Sequence, residues 1–366
     1  MLGATLTFYF ARHFAKMVGA IFMLCFLLIA VASYFEFINR AFKAGVVAGW
    51  GLAAVALFRV PSVSEEALPF AVLYGSIAAF VIANRRLELV VARAAGVSAW
   101  QFLLPACVVG LLYGVVATTA YNPAAAYLQA ISDSLASNVL NPAGAPLPEP
   151  ADSSGPVWAR QVSGDTESII GSIQSFDEGL GLSGATAYVF DHSGHFLQRI
   201  DAPRAHYYPG EWRLEDATVT ALGSDPKKVP TFSLPTNLSP SEVKQTFLGL
   251  DSVSFWSLPE LSASARRSGV PSDRYDLQYN VLLSRPILLL AMVLIAANVS
   301  LRFSRSRNLG RMIISGVAVG FMLYVVLKIA WDLGSGGIVP PPLAAWLPSI
   351  VAALVGITVL LHLEDG

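Results

Sequence analysis

Six stretches of this sequence are too long and too apolar to be held in water. A helix crossing the roughly 30 Å hydrocarbon layer of a bilayer rises about 1.5 Å per residue, so it needs about twenty mostly apolar residues. Met17–Phe35, Ala67–Ala83, Ala99–Tyr121, Val281–Leu301, Met312–Ala330 and Leu343–Leu361 meet that demand. Backbone facing lipid must satisfy its own hydrogen bonds, so these stretches are expected to be helices. They fall into two groups of three, giving a division into residues 1–121, 122–278 and 279–366. Composition agrees, since 54% of residues are hydrophobic and 13% charged, about half the charged share usual in soluble domains. An ordinary cytosolic enzyme and a disordered tail are both excluded.

Charge separates the blocks. Residues 122–278 hold ten Lys and Arg against eighteen Asp and Glu, net −8, while the flanks carry net +7. An acidic insert between basic, apolar blocks fits a soluble domain between two membrane blocks, and it offers no basic face to nucleic acid. Orientation follows from Lys and Arg in the short loops. Arg85, Arg86 and Arg93 join spans two and three, and Arg302, Arg305, Arg307 and Arg311 join spans four and five. Both loops share a side with Arg12 and Lys16, which is expected to be the cytoplasm together with both termini. A competing reading takes Arg12, Lys16, the apolar Met17–Ile29 and Ala30-Val31-Ala32 as a cleavable signal peptide. The apolar run continues through Phe37, which favours a retained span.

Residues 150–250 read as strands and turns. Thr186–Phe190 and Phe196–Ile200 alternate apolar and polar across a hairpin signal at Asp191–Gly194, and later runs flank the Pro209-Gly210 turn. Short strands at regular spacing predict an all-β sandwich or jelly roll. An apolar groove between its sheets is expected to face Val189 and Leu197, with Lys227 on the surface.

The chemistry-bearing motifs are few. Gly179–Gly184 has the G-x-G-x-x-G spelling, but a strand follows it where a dinucleotide loop would open a helix. His192 and His195 offer two imidazoles without a third ligand candidate, so a solvated hairpin is the expected role and no metal. Cys25 and Cys107 both sit in apolar runs, which excludes a disulfide framework or cysteine metal site in the insert. No P-loop, H-E-x-x-H or G-x-S-x-G occurs, so neither catalytic residue nor cofactor is expected.

The segment Asn84–Ser98 is the most informative. Read as a helix, Leu87, Val90, Val91 and Ala94 share one side, Arg86, Glu88 and Arg93 another, and Gly96 stands where a helix stops. Such a helix either docks in a groove on a cytoplasmic partner or lies on anionic headgroups. Elsewhere, Lys328 and Asp332 are four apart and able to pair near the outer end of span five. Arg40, Lys43 and Arg59 fall at the outer end of spans one and two, at headgroup level. Glu36, Glu65, Glu66 and Asp332 all read as lying near span ends, which disfavours a secondary transporter with a midplane carboxylate. A sensor or adhesion protein with a membrane-anchored β domain is the other alternative.

The string LELVVARAAGVS at Leu87–Ser98, the three-plus-three spans, and the tail from Gly320 to Ile350 resemble the LptF/LptG family of lipopolysaccharide export permeases over essentially the whole chain. The tail and Phe37–Gly45 are nearer the LptG members. The segment Ser254–Pro286 resembles the join between that family's β domain and its fourth span. The resemblance implies a non-catalytic inner-membrane permease subunit of an ABC-type exporter, six-spanned with an inserted periplasmic jelly roll. Its implied partners are a second six-span permease (LptF-like), a cytoplasmic ABC ATPase dimer (LptB-like), a single-span periplasmic bridge protein (LptC-like) and lipopolysaccharide. It also implies that Arg86, Glu88, Val90, Val91, Arg93 and Gly96 form the coupling helix to the ATPase. Spans one and five would line the side opening for lipid, with Arg40, Lys43, Arg59 and Lys328 as substrate contacts. Glu36 and Phe42 depart from the LptG pattern, where basic residues stand.

Overall fold

The computed structural model describes residues 4–43, 49–88, 94, 98–140, 157–163, 166–172, 174–176, 180–191, 193–238, 240, 243, 252–267, 272–303 and 309–365. Helices α1 (Ala4–Lys43), α2 (Trp50–Arg85) and α3 (Ala99–Val116) come first. A π-helical turn, Ala117–Tyr121, runs from α3 directly into α4 (Asn122–Leu140). After strands β1 to β7 come α5 (Leu258–Arg267), α6 (Asp273–Phe303), α7 (Leu309–Ser335) and α8 (Pro341–Asp365). Six helical stretches are long and apolar enough to cross a membrane, at Thr7–Phe42, Trp50–Arg85, Trp100–Ala136, Asp273–Ser300, Ile314–Ser335 and Pro341–His362. Each contains or nearly matches one expected span, and the first three run well past it. Hydropathy marks only the apolar middle of a helix. Backbone hydrogen bonds carry the helix onward through charged turns.

The helical core forms where α1, α2, α3 and α6 meet. Phe14, Val18, Val72, Phe80, Leu103, Leu289 and Val293 are all buried there. Glycine lets two pairs of backbones touch. A Cβ at Gly75 would lie 2.6 Å from Val18 Cα, and one at Gly114 would lie 2.3 Å from Pro286 Cα. Such small-residue contacts are how helices pack in lipid, where no hydrophobic force drives them together. Ser98 starts α3 with a capping box: its Oγ accepts from Gln101 N–H at 3.3 Å, and its N–H donates to Gln101 Oε1 at 3.4 Å. The C-terminal end of α2 is unusual. Leu87 takes φ 59° where glycine is the usual choice, and its N–H donates to Asn84 O at 3.0 Å.

Strands β1 (Val157–Ser163), β2 (Thr166–Ser172), β3 (Gln174–Phe176), β4 (Gly181–Asp191), β5 (Phe196–Tyr208), β6 (Glu211–Ala221) and β7 (Lys227–Pro235) form one antiparallel sheet. Its order is β1-β2-β4-β5-β6-β7, with β3 pairing β4 beyond the end of β2. Short connections place consecutive strands side by side. The described strands therefore build one rolled sheet, and the expected space lies inside a roll instead of between two sheets.

The roll comes from a crease across the strands. The registers put Gly184 opposite Pro203, Pro203 opposite Asp216, and Asp216 opposite Pro230. Gly184 and Asp216 have φ of 65° and 49°, and proline cannot donate to the ladder. Inward positions change parity at that line: Leu182 gives way to Ala185, Ala187 and Val189, and Leu214 gives way to Ala217. Both halves thus turn apolar residues to the same interior, around Ile170, Leu182, Ile200, Trp212 and Leu214. At the edges, Thr236 Oγ1 just past β7 donates to Gln161 Oε1 of β1 at 2.5 Å, and Gln161 Nε2 donates to Ser168 Oγ at 3.0 Å. The first and last strands are pinned together by one buried glutamine.

Candidate functional site

Among the described residues, three polar assemblies involve α1, α2 and their neighbours. At the C-terminal end of α2, Glu88 Oε1 accepts from Tyr9 OH of α1 at 3.1 Å and lies 3.9 Å from Arg86 Nη1. The Arg86 side chain is exposed. Of the residues expected to form the coupling helix, Val90, Val91, Arg93 and Gly96 lie outside the described residues. Of that segment the structure describes Arg86, Leu87 and Glu88: Leu87 is left-handed at the end of α2, and Tyr9 of α1 holds the Glu88 carboxylate.

At the other end of α1, two expected cations meet on one ring. The Arg40 and Arg59 guanidinium carbons lie 5.4 and 5.8 Å from the centroid of buried Phe37. Cation–π contacts of this kind orient a guanidinium while leaving its N–H groups free for other acceptors. Arg40 is also paired with Glu36 one turn earlier, so part of its charge is already neutralised. The Lys43 side chain lies outside the described residues. Lys328 is on α7, 3.9 Å from Asp332, and both side chains are about 60% exposed, far from Arg40 and Arg59 in sequence and on a separate helix.

The third place was missed by reading hydropathy. Glu65 and Glu66 were expected near a span end, but α2 extends to Trp50 and puts them well inside it. Glu65 is buried, and its Oε2 accepts from Arg285 Nη1 of α6 at 3.0 Å and from Asn122 Nδ2 of α4 at 3.2 Å. Next to it Ser64 Oγ and Tyr121 OH are 2.6 Å apart, and Thr118 Oγ1 donates to Leu282 O of α6 at 2.8 Å. Arg285 of α6 is therefore an interior ion-pair partner. The sequence signal was there in Ser64-Glu65, once α2 is allowed to continue through Pro61.

Elsewhere the β domain carries ordinary hairpin chemistry. The imidazole Nδ1 of His195 is 3.3 Å from Asp191 Oδ2. Asp191 Oδ1 accepts from the N–H groups of His195 and Ser193, both at 2.8 Å, and these bonds hold its carboxyl below the ordinary range. His192 lies outside the described residues. The expected lipid-facing pair divides: Val189 is buried inside the roll, whereas Leu197 is 42% exposed on the outside.

Two groups of helices long and apolar enough to cross a membrane, around an inserted rolled sheet, are the architecture of a polytopic membrane protein. A family model described as lipopolysaccharide export system permease LptF/LptG matches residues 8–362. The chain belongs to that family. It is 25% identical over 363 residues to the lipopolysaccharide export system permease protein LptG of Escherichia coli strain K12, covering 96% of this chain and 97% of that protein. It is 24% identical over 358 residues to the protein of the same name in Haemophilus influenzae, covering 93% and 94%.

Proposed function

We propose that this chain is the transmembrane permease subunit of an ABC-type exporter that lifts lipopolysaccharide out of the bacterial inner membrane. The observation that carries the reading is the end-to-end family match on a chain whose inserted β domain interrupts two helical blocks. Residues 1–121 and 279–366 act as the membrane blocks, and residues 122–278 carry the β domain in the periplasm, with both termini in the cytoplasm. A second six-span permease completes the cavity. A cytoplasmic ABC ATPase dimer supplies the work, and a single-span bridge protein receives the lipid. The chain itself is non-catalytic.

In this reading the ATPase grips the segment rooted at Arg86 and Glu88 and continuing through Val90, Val91, Arg93 and Gly96. Its stroke moves α2 and, through the Tyr9–Glu88 hydrogen bond, α1. Arg59, and Arg40 to the extent Glu36 leaves it free, face lipid phosphates beside Lys43. Lys328 meets headgroups from the α7 side. The acyl chains then enter the roll of the β domain.

A secondary transporter is the competing class, and Glu65 inside α2 is the observation in its favour. Against it, that carboxylate is held by Arg285, which removes its net charge from any ion path. A pull-down of the full chain in mild detergent separates the readings. Recovery of an ATPase and a second six-span relative supports export. A chain that elutes alone, from membranes that transport lipopolysaccharide, overturns it.

A further inference from the structure

Asn122 is the only described side chain that joins the buried ion pair to the chain returning from the β domain. It is 5% exposed. Its Nδ2 donates to Glu65 Oε2, which Arg285 also holds, while its Oδ1 accepts from the N–H of Phe255 at 2.9 Å. Phe255 belongs to the short turn between the β domain and α5. Trp256 adds a second bond to the same place, its Nε1 donating to Thr119 O at 3.1 Å. Thr119 lies within the π-helical turn, and the N–H of Asn122 itself reaches back to Ala117 O. Such turns leave carbonyls off the regular ladder and recur where helices carry function. Here the irregular turn presents Thr119 O and the Asn122 amide to the returning chain.

Three elements therefore converge on one joint: α2 through Glu65, α6 through Arg285, and the chain returning from the β domain through Phe255. On α2, Glu65 stands twenty residues before Arg85, about 30 Å along the helix axis. The far end of the same rod carries the root of the coupling segment. The second oxygen of Glu65 is buried with no hydrogen-bond partner among the described residues. The carboxylate thus has an acceptor to spare for a second arrangement of these helices.

We propose that Asn122 is a positioning residue that transmits movement of α2 and α6 to the β-domain tether, so that helix motion and lipid transfer to the β domain stay in step. This rests on the export reading above, and the tie itself is tested independently of it. The experiment uses the assembled complex in nanodiscs, with two readouts: amide hydrogen exchange at Phe255–Trp256, and lipopolysaccharide released per ATP hydrolysed. Asn122→Leu keeps the bulk and removes both hydrogen bonds. Trp256→Phe serves as the control, because it removes only the second bond, to Thr119 O, and leaves the Asn122 bridge and the Glu65–Arg285 pair in place.

Asn122→Leu is expected to raise exchange at Phe255 and to lower release per ATP about tenfold, the scale of losing one buried hydrogen bond to a charged group. Trp256→Phe is expected to stay within about twofold of the wild type in both readouts. The proposal is overturned if Asn122→Leu leaves the Phe255 amide as protected as before, if release per ATP is unchanged, or if Trp256→Phe loses as much in both readouts as Asn122→Leu. A wild-type complex that releases no lipid on ATP counts against the export reading, and the exchange comparison still decides whether the tie exists.

Discussion

Glu65 and Arg285 meet at 3.0 Å among the packed helices, their side chains 9% and 13% exposed. Breaking such a pair by removing one partner typically costs about 3–5 kcal/mol, whereas replacing both with apolar groups is often nearly neutral. Glu65→Ala is therefore expected to lower the thermal midpoint in detergent markedly, and Glu65→Leu with Arg285→Leu to recover most of it. Equal losses in both variants would contradict the pairing. Asp191 makes the opposite case, on an exposed hairpin. Its carboxyl is held below the ordinary range mainly by the His195 N–H. A depressed folded value means the stabilisation is present above the ordinary carboxylate range and is lost as pH falls through and below it. Exchange of the Ser193 and His195 amides should be slow near neutral pH and speed up on acidification, beyond the intrinsic pH effect on exchange. A flat corrected profile would contradict this. Residue scale is where the sequence was least legible. Hydropathy ends an apolar run at a carboxylate, so Glu65 and Glu66 read as lying near a span end, whereas α2 continues past them to Trp50. The pairing of Lys328 with Asp332, by contrast, follows from their spacing of four alone.

Six spans and an all-β insert were readable element by element, because both rest on strong periodicities: about twenty apolar residues for a span and two-residue alternation for a strand. The helix ends were not, since a helix leaving the hydrocarbon loses its hydropathy before it loses its hydrogen bonds. The crease across the sheet was not readable either. Only the registers reveal that Gly184, Pro203, Asp216 and Pro230 line up, although each is a known turn-former in isolation. A Cβ at Gly184 would meet nothing within 4 Å, yet its φ of 65° is one that side chains resist. Gly184→Val is thus expected to destabilise the β domain by about 1–2 kcal/mol through backbone strain alone, read as a lower midpoint of its thermal unfolding. No change would mean the crease does not need the left-handed turn. The crease also sorts the two residues flagged for lipid contact. A photocrosslinker at Val189 should label lipopolysaccharide during transport, whereas one at Leu197 should not. Labelling from Leu197 alone would put the lipid on the outside of the roll.

At the scale of the whole molecule, the long α2 and the joint at the π-helical turn give the chain its working geometry. One end of α2 carries Arg86 and Glu88, and the joint ties its middle to α6 and to the β-domain tether. The alternation of two helical blocks with an inserted β domain was legible from the apolar runs and from the charge asymmetry, a net −8 insert against flanks that together carry net +7. The joint was not legible, because it depends on residues 57 to 220 positions apart meeting in space. The central claim is that a separate motor, acting at the root of the coupling segment, drives lipid out through this chain. The most direct test is release of lipopolysaccharide from proteoliposomes containing the full assembly, with wild type compared against Glu88→Ala. ATP should drive release in the wild type, and Glu88→Ala should reduce it severalfold without lowering the thermal midpoint. Release that proceeds without ATP in response to an ion gradient, or that Glu88→Ala leaves untouched, would contradict the account.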